Sequence, residues 1–100
     1  MGYRYSEKAL SDLQGVIDYI LRDNPRAALA VTDEIEHMCD LVASMPGIGH
    51  KVEFISKAAY FMVPAGKYPQ YLIFYEKEGD DIVIHRIVHS RRNLTALFDL

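Results

Sequence analysis

Apolar residues recur at two different intervals along this chain. Ala9, Leu10, Leu13, Val16, Ile17, Ile20 and Leu21 return every three or four positions. That interval places side chains on one stripe of an α-helix. It predicts an amphipathic helix from about residue 7 to residue 22, with Lys8, Asp12 and Asp18 on its polar side. Ser6 stands just ahead, where its hydroxyl can accept from an unpaired amide of the first turn. A second stripe, formed by Ala28, Val31, Ile35, Met38, Val42 and Met45, predicts a helix running to about Ser44. Asn24 is its expected N-cap. Pro25 suits the first helical position, where a missing amide costs nothing. So short a link implies an antiparallel helical hairpin, and Pro46-Gly47-Ile48-Gly49 stops the second helix.

The second half of the chain changes period. A short aromatic segment at residues 2–5 reads as a strand, as do residues 59–64, 71–75 and 82–89. Ala65-Gly66 and Glu78-Gly79-Asp80 read as the intervening turns. The last strand is apolar on both faces in its first half, as a central strand is. Ser90 or Asn93 is placed to cap a short C-terminal helix containing Leu94, Leu97 and Phe98. The element order is βααβββα, with no internal repeat, low-complexity stretch or linker.

Composition adds bounds. One hundred residues make one small domain, and half are hydrophobic and a quarter charged, which excludes intrinsic disorder. No apolar run of membrane-spanning length occurs, so no membrane partner is expected. The single cysteine, Cys39, can form neither an intramolecular disulfide nor a cysteine-based metal site, and a reducing cytoplasm fits best. A net charge of −3 makes charge-driven nucleic-acid binding a poor reading. We expect no sequence-specific DNA binding by this chain alone. The charge is uneven: residues 1–50 hold four Lys/Arg against eight Asp/Glu, and residues 51–100 hold seven against six.

Candidate chemistry is sparse. His85 and His89 lie four apart on a strand, hence on one face but too far apart for a helical metal clamp. His37 reads as solvated, and His50 sits in a glycine-rich loop. Asp33, Glu36 and Asp40 share a helix face best read as solvated. Cys39 lies in the apolar stripe and reads as a packing residue. No metal or cofactor is expected. Arg86 is unusual within an apolar strand and needs a partner such as a carboxylate. With His89, Arg91 and Arg92 it forms the strongest cluster, and Arg91 and Arg92 suit a phosphate or a carboxylate surface.

The sequence resembles a known family through several pieces in order. These are Ser6, Ala9 and Asp12-Leu13; Asp18-Tyr19-Ile20; Asn24-Pro25 and Ala27-Ala28; and Pro46-Gly47-Ile48-Gly49. Tyr71-Leu72-Ile73-Phe74-Tyr75 and Arg86-Ile87-Val88-His89-Ser90-Arg91-Arg92 complete the set. The chain looks like a ParE-type toxin of the RelE/ParE superfamily of type II toxin–antitoxin modules, over nearly its whole length. The resemblance implies one α+β domain over residues 1–100: a two-helix antiparallel hairpin packed on a small, curved, mainly antiparallel four-stranded sheet, with a short C-terminal helix.

It also implies a choice of activity. RelE-like members cut messenger RNA on the ribosome, with lysines on the second strand, an arginine on the third, another after the fourth, and a C-terminal tyrosine or histidine. Here Tyr60-Phe61-Met62-Val63 has no lysine and Tyr71-Leu72-Ile73-Phe74 no arginine. Residues 93–100 lack both tyrosine and histidine. Arg86, His89 and Arg91 are the weak catalytic candidates if the chain is such a nuclease. ParE-like members are instead associated with poisoning DNA gyrase, without catalysis, and the resemblance is closer to these. It points to Arg91, Arg92, Leu94, Leu97 and Phe98 as target-binding residues. The implied partners are gyrase and a cognate antitoxin, whose disordered tail folds on binding and which can form a hetero-oligomer with the toxin. Tyr3, Tyr5, Leu72 and Phe74 are the candidate antitoxin-binding residues. A non-toxic, antitoxin-binding remnant is the third reading.

Overall fold

The computed structural model describes residues 2–52 and 60–91. Strand β1 (Tyr3–Tyr5) leads into helix α1 (Glu7–Leu21) and then helix α2 (Pro25–Ser44). A 3₁₀ turn (Pro46–Ile48) and strand β2 (His50–Lys51) follow, then β3 (Phe61–Ala65), β4 (Tyr68–Glu78) and β5 (Asp81–His89). The helix boundaries agree with the two apolar stripes. The Ser6 hydroxyl accepts from the Ala9 amide at 3.0 Å, and the Asn24 side chain accepts from the Ala27 amide at 3.1 Å. Each satisfies an orphan donor of a first helical turn.

Among the described residues the strands form one five-stranded sheet in the order β1-β5-β4-β3-β2. β1 runs parallel to β5, and the other pairs are antiparallel. The count exceeds the expected four because His50–Lys51 pairs with Phe61 and Met62. Two residues carry no readable period, so this strand left no trace in the pattern. β4 is also longer than the expected residues 71–75. Its polar ends, Tyr68-Pro69-Gln70 and Glu76-Lys77-Glu78, are strand by pairing rather than by composition. The expected C-terminal helix lies outside the described residues. No helix among them is long and apolar enough to cross a membrane.

The main core lies between the helical hairpin and the sheet. Val31, Ile35, Cys39 and Val42 of α2 pack against Val63, Ile73, Tyr75, Ile82, Ile84 and Ile87. A smaller cluster on the opposite face joins Val52, Phe74 and Val88 to half-buried Tyr60, Met62 and Leu72. Cys39 is fully buried, and burial pushes its thiol up to about 12. The packing role therefore holds. The Tyr5 hydroxyl is buried beneath α2 with no hydrogen-bond partner among the described residues. Such a group gives up its water without compensation. We therefore expect Tyr5→Phe to leave thermal stability unchanged or to raise it by about 1 kcal/mol, measured by denaturant unfolding. A loss of more than that would show a hydrogen bond in solution.

Two turns explain the strand pairing. Gly66, at φ +52°, turns β3 into β4, and the Lys67 amide there donates to Glu34 of α2 at 3.0 Å. The β4–β5 hairpin closes at Gly79, and an exposed ion pair between Arg4 and Glu78 ties β1 to its tip. Pairs this exposed contribute little.

Candidate functional site

Helix α1 does not simply cover the sheet; its first half runs beside the edge of β5. β1 pairs with β5 only through Ile82, Val83 and Ile84. Beyond that point α1 supplies the missing partners. The Ser6 amide donates to the Ile84 carbonyl at 2.9 Å, and its hydroxyl donates to the His85 carbonyl at 2.8 Å. One oxygen of Asp12 then accepts from the Ile87 amide at 3.0 Å.

The same carboxylate holds Arg86. Its Nε donates to Asp12 Oδ2 at 2.7 Å and its Nη2 to Oδ1 at 3.0 Å. This is the forked geometry that suits a guanidinium facing a carboxylate. Both side chains are nearly out of solvent, at 10% and 12% exposure. The hydrogen bonds to Asp12 raise the guanidinium above its ordinary value, against the opposing effect of burial. The sequence reading put Asp12 on the polar side of α1, and the structure corrects this. At the margin of a sheet, the side of a helix away from the main core can still meet an open strand edge. There a carboxylate finds both an unpaired amide and an arginine.

A β-bulge accompanies the arrangement. Phe74 opposes Arg86, while Tyr75 opposes Ile84, so β5 has one extra residue at His85. The extra residue reverses the alternation of faces. His85 consequently packs on Tyr60, with ring centroids 4.6 Å apart and the Tyr60 hydroxyl 3.1 Å from Nε2. His89 packs edge-on against Tyr71, on the opposite face. The two histidines expected on one face are thus on different faces. Burial is the main influence lowering the pKa of His85; Lys8 and Arg86 add to it, while Glu76 and Asp12 oppose it. A histidine that binds its proton less readily folded than unfolded stabilises the fold above its unfolded value. That contribution is lost as pH falls through the folded value. Acidification below about pH 6.5 is therefore expected to lower Tm, and His85→Gln to flatten this part of the profile. Scans between pH 5 and 7.5 on both proteins check it; equal slopes would remove His85 as the cause.

Past the Asp12 latch, α1 and the end of β5 enclose an open groove of about 480 Å³. Ser11, Asp12, Gly15, Val16 and Tyr19 form one wall, and Tyr71, Ile87, Val88 and His89 the other. Tyr19 is 64% exposed, high for a tyrosine lying over apolar neighbours. Arg91, two residues past His89, is exposed, and its amide donates to His89 Nδ1 at 3.1 Å.

The sequence candidates fall in different places. Arg86, His89 and Arg91 lie along one strand end, but Arg86 is held by Asp12 while Arg91 faces solvent. Arg92, Leu94, Leu97 and Phe98 lie outside the described residues. Tyr3 and Tyr5 meet edge to face against the main core. Phe74 is buried in the smaller cluster with Leu72 beside it, on the other face of the sheet. These four do not line one groove. The α1 wall was missed, although Asp12 and the need of Arg86 for a carboxylate were both visible. What was absent was the orientation of the helix against the strand. Asp33, Glu36 and Asp40 are exposed, and the described residues contain no group of three or more candidate metal ligands.

Residues 3–94 match the family model described as the ParE toxin of the type II toxin–antitoxin system parDE. The fold is similar to a solved chain from the chromosomal ParDE TA system of P. aeruginosa, with a TM-score of 0.72 and 19% sequence identity. The match covers 89% of this chain and 95% of that one. No curated protein matches the sequence. A family match over nearly the whole length, on this arrangement of hairpin and sheet, identifies the chain as a member of the ParE toxin family of type II toxin–antitoxin systems.

Proposed function

We propose that this type II toxin acts by binding, as an inhibitor of DNA gyrase in the cytoplasm, and that a cognate antitoxin neutralises it. The observation that carries the reading is the state of Arg86. Cutting RNA at a phosphate calls for cations free to meet developing charge. Arg86 instead gives its Nε and Nη2 to one buried carboxylate. β3 contributes no lysine or arginine, and the stretch of β4 from Tyr71 to Tyr75 none either. What remains accessible suits recognition: the groove, exposed Tyr19 and exposed Arg91. On this reading Arg91, Arg92, Leu94, Leu97 and Phe98 meet the target.

The test is pulse labelling of DNA and protein synthesis in bacteria minutes after this chain is induced alone. We expect DNA synthesis to fall first, with filamentation. Purified chain should then inhibit gyrase supercoiling. An earlier fall in protein synthesis would favour ribosome-dependent messenger RNA cleavage, with His89 and Arg91 the residues to mutate. Unimpaired growth would favour a non-toxic antitoxin-binding remnant.

A further inference from the structure

Past the Asp12 latch, β5 turns an unpaired acceptor and an unpaired donor into the groove. In an antiparallel ladder, alternate residues point both main-chain groups toward one neighbour. The Ser90 amide donates to the Gln70 carbonyl at 2.7 Å, so Val88, opposite Leu72, also faces β4. Ile87 and His89 face the other way. Asp12 takes the Ile87 amide. The Ile87 carbonyl and the His89 amide meet no hydrogen-bond partner among the described residues. They stand two residues apart on one extended edge.

The walls around this pair are aromatic and close to neutral. Tyr19, Tyr71 and His89 all line the groove, and the Tyr71 and His89 rings meet edge to face with centroids 5.4 Å apart. Burial raises the Tyr71 phenol above its ordinary value, and Tyr19 stands close enough to add to the rise. Among the described lining residues Asp12 is the one carboxylate, balanced by Arg86, and no lysine or arginine is present. On α1, Gly15 leaves room, since a Cβ there would meet nothing within 4 Å. A groove of about 480 Å³ is of the size that holds small molecules, in sites where a few main-chain groups fix orientation between apolar walls.

We infer that the groove binds the adenine base of a free nucleoside or nucleotide, its 6-amino group donating to the Ile87 carbonyl, its N1 accepting from the His89 amide and its flat face against Tyr19. Adenine carries that donor and acceptor side by side on one edge of a planar ring. Hydrogen bonds to that edge, with stacking on aromatic side chains, are how proteins hold a base outside a duplex. Charge complementarity points the same way. A neutral ring suits neutral walls, whereas a carboxylate or ammonium group would find nothing there to balance it. Arg91, exposed two residues past His89, is placed to meet a phosphate beyond the base. A free nucleotide suits the chain better than a nucleic-acid strand, because a net charge of −3 repels a polyanion. The inference stands apart from the gyrase reading.

The test titrates the ¹⁵N-labelled full chain with adenosine, AMP and two analogues, purine riboside, which lacks the 6-amino group, and 1-deazaadenosine, which lacks N1. Amide shifts are followed by NMR. We expect adenosine and AMP to reach half-saturation below about 1 mM. The His89 amide should move downfield, and the Ser90 amide, already bonded to Gln70, should move less. Each analogue should bind about fivefold more weakly, the loss of one hydrogen bond, and 1-deazaadenosine should leave the His89 amide near its free position. Tyr19→Ala should weaken binding roughly tenfold through lost stacking, while Tyr19→Phe should not. Gly15→Leu fills the groove and removes a glycine from a helix interior, so it should abolish binding on a fold at least as stable. Absence of saturation at millimolar adenosine and AMP overturns the inference. So does equal binding of both analogues, which would mean stacking without the strand edge, or unchanged affinity in Gly15→Leu, which would place the base elsewhere. Binding of oligoadenylate alone overturns the free nucleotide as the source. Growth arrest on expression tests the toxin reading separately from all of these.

Discussion

Replacing Asp12 by alanine is expected to cost this fold about 3–5 kcal/mol, the usual loss when one partner of a buried ion pair is removed. For a domain of this size that is a fall in Tm on the order of 20 °C. The size follows from what remains. Arg86 is 8% exposed and would keep its charge without the carboxylate that receives its Nε and Nη2. The Ile87 amide would lose its acceptor as well. The pair itself is a smaller contributor than its removal suggests, because burying both ions cost hydration in the first place. Asp12→Leu combined with Arg86→Met should therefore recover more than half of the loss, leaving mainly the orphaned Ile87 amide. Denaturant unfolding of Asp12→Leu, Arg86→Met and the double variant measures this cycle. A loss below 1 kcal/mol for Asp12→Ala would mean that water reaches Arg86 and that the latch is weak.

This latch also marks where the sequence stopped being readable. Apolar periodicity and the caps at Ser6 and Asn24 placed both helices to within a residue or two, because helix ends depend on local groups. The need of Arg86 for a partner was legible, since a charge among Ile84, Ile87 and Val88 has few other ways to exist. Its identity was not, because Asp12 is 74 residues away and looked like any polar helix position. The bulge at His85 was hidden for a similar reason. An inserted residue in a run apolar on both faces leaves no visible break in alternation, yet it sends His85 and His89 to opposite faces. The groove escaped because it exists only where β1 stops and α1 turns aside. The sequence shows that chain reversal, but not the strand edge it uncovers.

The second large effect is expected at Gly49, where the loop after α2 meets the core. Tyr75 is fully buried, and its hydroxyl donates to the Pro46 carbonyl at 2.7 Å while accepting from the Gly49 amide at 2.9 Å. A Cβ at Gly49 would fall on that hydroxyl and on the ring carbon bearing it. Gly49→Ala must therefore push the ring or the loop aside, an overpacking cost of roughly 1–3 kcal/mol. Breaking both hydrogen bonds adds about 1–3 kcal/mol for groups left unsatisfied. Tyr75→Phe loses only the second part. In the double variant the hydroxyl is gone, but the ring carbons still lie within 2.8 Å of the added Cβ. The two changes should hence cost less together than the sum of the singles without cancelling. Additive losses would place the Gly49 strain somewhere other than Tyr75.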